Sequence, residues 1–138
     1  MEQEIGDTEP RIDMEKENEL GVIVKSRKLI EYIFTITEKS PKKFRFTIIA
    51  HLQNKALNIM EYLIRANEIY VKDNTHTESC RRRLGYQQET MAELKILGYL
   101  AMIAREQECI LPKQQEQIAK QISECRKMLW AWMQSDKK

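Results

Sequence analysis

The hydrophobic pattern is sharpest between Ser40 and Val71. There Ile49, Leu52, Ala56, Ile59, Leu63, Ala66 and Tyr70 recur at spacings of three and four, one apolar seam along a helix of 3.6 residues per turn. The opposite stripe reads His51, Lys55, Asn58, Tyr62, Arg65 and Lys72. It is cationic and carries an aromatic ring. A helix before this one is expected from Leu20 to Lys39, with Val22, Leu29, Ile33 and Ile36 in line. Ile30, Phe34, Ile23 and Tyr32 widen that stripe, so the helix should meet more than one neighbour.

Ser40-Pro41 predicts the boundary between the two helices. Serine caps free N–H groups, proline suits the first helical position, and the residue before proline leaves the α region. The connection is then very short and the helices antiparallel. Asp73-Asn74-Thr75 predicts the end of the second helix near Lys72, and Thr75 with Glu78 matches a capping box for a third. That third helix should run to about Glu108, with Leu84, Met91, Leu94, Leu97, Ala101 and Ala104 inward. Pro112 opens a fourth, with Ile118, Ile122, Cys125, Leu129 and Trp132 on its seam and Trp130 and Met133 off it. No strand-like alternation and no repeat interrupts the series. The expected fold is all-α, an antiparallel up-down-up-down four-helix bundle over residues 20–136.

A second apolar stripe on the third helix, Ile96, Leu100 and Ile103, has no place in the core of a lone bundle. It marks either an oligomer interface or a core that wraps wider.

Composition agrees with helices. The 138 residues contain only 4 glycines and 3 prolines, too few for a fold rich in tight turns, and the length suits one domain. Charge changes the picture more. Residues 1–19 hold eight acids against two bases, a net charge of −6, while the remaining 119 residues carry 21 bases against 13 acids, net +8. The expectation is an acidic, disordered leader over 1–19 followed by a basic body. The body suits an anionic partner and the leader could compete for the same surface; equally, the leader could be a solubilising tail on an ordinary charged surface. No apolar run reaches the ~20 residues that span a bilayer, and the polar, acidic start resembles no targeting peptide. With three cysteines and no Cys-x-x-Cys, reduced thiols and a cytoplasmic location are expected.

The sequence offers no catalytic or metal constellation. A di-metal carboxylate bundle needs Glu-x-x-His pairs, and there are none. His76 and Cys80 stand four apart, but two ligands do not hold zinc. Phosphate loops, nucleophile elbows and dinucleotide fingerprints are absent. No enzyme activity and no cofactor is expected. What remains is positive charge: Lys42, Lys43 and Arg45 beside a helix start, Arg81, Arg82 and Arg83 near the next, and Lys113, Lys120 and Lys127 every seven residues on the fourth helix. Together with Lys55 and Arg65, the first two groups are candidate phosphate contacts that read no base. Each group alone is also what a solvated helix face looks like. Tyr62 could stack on a base or sit in an interface.

The run Ser40-Pro41-Lys42-Lys43-Phe44-Arg45-Phe46-Thr47, opening the long second helix, resembles the accessory variability determinant (Avd) proteins of diversity-generating retroelements. The resemblance continues at Ala56-Leu57-Asn58-Ile59, Leu63-Ile64-Arg65-Ala66-Asn67, Glu93-Leu94-Lys95 and Arg126-Lys127-Met128-Leu129, with Trp132 near the end. It covers residues 20–135. It implies a basic, ring-shaped homopentamer that binds a reverse transcriptase and RNA or DNA, a non-enzymatic partner in making mutagenic complementary DNA. Where the family commonly has a Gly-Gly pair before the terminal tryptophan, this chain has Trp130-Ala131. The wider superfamily includes proteins encoded in intervening sequences of 23S ribosomal RNA genes. An oligomeric scaffold of that type, without a direct nucleic-acid role, is the alternative, ranked second because its small-residue signature in the second helix is missing.

Overall fold

The computed structural model describes residues 20–71 and 77–137. Four helices follow one another: α1 Gly21–Thr37, α2 Ile48–Glu68, α3 Glu78–Glu106 and α4 Pro112–Ser135. Helix α1 packs on α2, α2 on α3, α3 on α4 and α4 back on α1, with no packing across either diagonal. This is the up-down-up-down square in which each helix packs on its neighbours in the chain and the last closes on the first. No strand occurs among the described residues.

The seams close one core. Leu29, Ile33, Leu52, Ile59, Leu63, Leu94, Leu97, Ile118 and Leu129 are fully buried at its centre. Every seam position expected on α2 is buried except Tyr70, which lies beyond the last helical residue and is exposed. On α3, Leu84 and Met91 pack against the core while remaining partly exposed. Met133, placed off the seam by spacing, is buried. Few polar groups enter the core, and most of those have partners. Ser26 donates to the carbonyl of Ile23, and Thr37 donates to that of Ile33 while its oxygen accepts from Gln53 of α2.

The start of α2 departs from expectation. Ser40-Pro41 does not begin it. Pro41 is extended, and its carbonyl accepts from the Phe44 N–H to start a 3₁₀ turn over Lys42–Phe44. The turn sets Phe44 against the core edge. Thr47, at φ −120° and ψ −94°, breaks the backbone again, so α2 begins only at Ile48. Ser40 caps nothing here, and its hydroxyl donates to the carbonyl of Cys109 at 2.8 Å. The link is therefore long, and it is fastened to the α3–α4 link.

The start of α3 also differs. Thr75 lies outside the described residues, and the cap is Thr77, whose hydroxyl oxygen accepts from the Cys80 N–H. Helix α3 ends with Glu108 at φ 63°. The N–H of Cys109 returns to Ala104 and that of Glu108 to Arg105, a Schellman end with glutamate where glycine is usual. Cys109 and Ile110 then turn into the core. Helix α4 starts as expected at Pro112, with the Gln114 side chain accepting from the Leu111 N–H.

Candidate nucleic-acid interface

The fold sends the basic residues read from the sequence to opposite ends. Lys42, Lys43 and Arg45 are exposed on the 3₁₀ link, where Lys43 lies 5.2 Å from the Phe44 ring centre and Arg45 5.9 Å from that of Phe46. Phe46 is 82% exposed. This end holds the α1–α2 and α3–α4 links. Arg81, Arg82 and Arg83 open α3 at the other end. Helix α2 joins the two ends, and its 21 residues rise about 31 Å. One phosphate cannot touch both groups.

Several of these cations are paired within the bundle. Lys55 of α2 meets Glu93 of α3 at 3.0 Å, and Glu93 is buried. Arg83 meets Asp136 at 3.2 Å and lies 4.8 Å from the Trp132 ring centre, tying the start of α3 to the end of α4. Both are charge contacts rather than aligned hydrogen bonds. Gln87 donates to the same Asp136 oxygen. On the surface, Arg65 pairs with Glu61 and Arg81 with Glu78. The Glu61 hydrogen bond and charge hold the Arg65 guanidinium above its ordinary range. Arg82 is exposed. Tyr62 is stacked on Tyr86, ring centres 6.3 Å apart, in a small α2–α3 groove beside Arg82 and Glu89.

A further groove lies between α3 and α4, with a volume of about 750 Å³. Leu94 and Ile122 form its floor. Gly98, Ala119 and Ser123 keep it open, being too small to fill it. Its rim carries Lys95 and Tyr99 from α3 and Arg126, Lys127 and Trp130 from α4. No acidic residue lines it. Tyr99 is 60% and Trp130 55% exposed. Sequence reading did not bring these residues together. Its usable signal was spacing: Lys95, Tyr99 and Met102 fall four and three apart on one helix, Ala119, Ser123, Arg126 and Trp130 on the next.

The expected interface stripe on α3 is half outside the core. Ile96 and Ile103 are 42% and 45% exposed, while Leu100 packs partly against the core. Leu57 and Ile64 are exposed on α2.

Among the described residues, no group of three histidine, cysteine or acidic side chains could hold a metal ion, and His76 lies outside them. No described helix is long and apolar enough to cross a membrane. A family model described as bAvd-like matches residues 22–136, which takes in all four helices. No curated protein matches the chain.

Proposed function

The chain belongs to the bAvd-like family, and on that premise we propose that it is a non-enzymatic accessory protein of a diversity-generating retroelement. It binds a reverse transcriptase and RNA or DNA and supports complementary-DNA synthesis in the cytoplasm. The observation that carries this reading is the family match across the whole bundle. The excess of positive charge in residues 20–138 supports it, since accessible cations favour a polyanion. Lys42, Lys43, Arg45 and Arg82 are exposed and take part in none of the ion pairs among the described residues, and they supply the phosphate contacts. Arg65 and Arg81 join them in exchange for surface carboxylates, a cheap trade in water. Lys55 and Arg83 contribute mainly by holding the helices that carry the others.

The working form in this proposal is a ring, expected to be a homopentamer. A ring closes through two different patches on each subunit. Exposed apolar residues on two helices support that: Ile96 and Ile103 on α3, Leu57 and Ile64 on α2. Residues 1–19 remain an acidic leader on this reading, able to compete for the basic surface.

Co-expression with a reverse transcriptase of a diversity-generating retroelement from the same genome tests the proposal. The two proteins should co-purify, and light scattering of the accessory protein alone should give five times the 16.4 kDa protomer mass. A monodisperse protomer that leaves the reverse transcriptase behind would contradict it.

A further inference from the structure

We propose that the α3–α4 groove is a binding site for single-stranded nucleic acid, in which bases stack on Trp130 and Tyr99 and phosphates meet Lys95, Arg126 and Lys127. The inference rests on the nucleic-acid reading above and gives it a location and a strand preference.

Charge is the first support. The groove gathers three cations and no acid. None of the ion pairs among the described residues involves Lys95, Arg126 or Lys127. By contrast Lys55, Arg65, Arg81 and Arg83 each face a carboxylate. A polyanion entering the groove displaces only water and counterions there, whereas at the paired sites it must first displace a carboxylate.

Shape is the second. Proteins that hold single strands without reading sequence combine a basic groove with exposed aromatic faces, because every base has a π-face. In a duplex those faces are already stacked. The Arg105–Gln115 and Gln87–Asp136 hydrogen bonds fix the antiparallel register of α3 and α4. That register sets Lys95 level with Arg126, between Trp130 on one side and Tyr99 on the other. Aromatic, cationic and aromatic tiers thus follow one another along the groove. Its volume lies in the range of ligand sites.

Continuity is the third. Lys120 and Lys113 extend the cations along exposed α4 to its N-terminus. There the Ser40–Cys109 hydrogen bond holds the two links together, so the track reaches the neighbourhood of Lys42 and Lys43. The groove and the link end become parts of one path.

The test uses the full chain, a labelled oligothymidylate and a blunt duplex of the same length. Trp130→Ala and Tyr99→Ala should each weaken oligothymidylate binding, by about fivefold to more than a hundredfold for a lost stacking contact. Duplex affinity should change by less than about twofold, since no duplex base can reach either ring. Trp132 is buried, so quenching of tryptophan emission by the oligonucleotide should vanish in Trp130→Phe. Arg126→Glu should weaken the single strand further. Unchanged oligothymidylate affinity in these variants, with binding lost in a Lys42→Ala/Lys43→Ala/Arg45→Ala protein, overturns the groove and leaves the proposed function standing. Wild-type protein that binds neither probe overturns both. Variants that keep binding but lose self-association or the reverse transcriptase would make the groove a protein interface and overturn the inference.

Discussion

Ser40 donates its hydroxyl hydrogen to the carbonyl of Cys109 at 2.8 Å, joining two links 69 residues apart in sequence. The missing helix start has a backbone cause: Pro41 is extended and leads into a 3₁₀ turn, so the serine oxygen has no helical N–H groups to cap. Ser40→Ala should lower stability by about 1 kcal/mol, the usual worth of such a bond. Urea denaturation checks this through the midpoint. An unchanged midpoint would mean that water replaces the hydroxyl without loss.

At the end of α3, Glu108 occupies the left-handed region with φ 63°. A side chain there costs on the order of 1 kcal/mol that glycine does not incur. Glu108→Gly should therefore stabilise the protein by about that amount and raise its melting temperature by a few degrees. Glu108→Val should lower it, because a β-branched residue tolerates positive φ least. Calorimetry of the three proteins decides the order.

The Lys55–Glu93 contact places a charge pair between α2 and α3, with Glu93 buried. Removing only the lysine, as Lys55→Ala, leaves the carboxylate without its counter-charge and should cost about 2–3 kcal/mol. Replacing both, as Lys55→Met with Glu93→Leu, should recover most of that loss. A double-mutant cycle measured by chemical denaturation gives the coupling directly.

Burial pushes the Cys125 thiol up to about 11 and raises Cys109 as well, whereas Cys80 is half-exposed. In folded protein at about pH 8, iodoacetamide should modify Cys80 and spare the other two, because the thiolate is the nucleophile. The sign for stability follows. Above pH ~9 the unfolded chain releases the Cys125 proton while the folded chain holds it until about 11. The stability it contributes is thus present below pH ~9 and is lost as pH rises toward 11, an effect of about 2–3 kcal/mol. Cys125→Ala should flatten that decline in a pH series of urea melts.

The helical body could be read almost completely from spacing, because each seam buries one face and each link joins a helix to the neighbour it packs on. Ile118, Ile122, Cys125, Leu129 and Trp132 all lie where a single stripe puts them. The misreadings share a cause. Ser40 and Tyr70 sit at element ends, where tertiary contacts decide and local propensity does not. Met133 stands four residues after Leu129, so at the end of α4 the buried stripe takes both the three- and the four-residue step.

Charge was the least legible layer. A list of lysines and arginines does not say which ones face carboxylates. Lys55 and Arg83 prove to be internal partners of Glu93 and Asp136. Lys95, Arg126 and Lys127 came from two helices and formed a group only once α3 and α4 were placed side by side. No spacing rule within one helix reports that.

The central claim is that the basic body of this bAvd-like protein holds nucleic acid through its phosphates, and a salt titration of oligonucleotide affinity tests it most directly. With about five phosphates neutralised, affinity for a single strand should fall by about a hundredfold between about 50 and about 200 mM salt. Absence of binding at the lower salt, or an affinity that does not change across the series, would contradict the account.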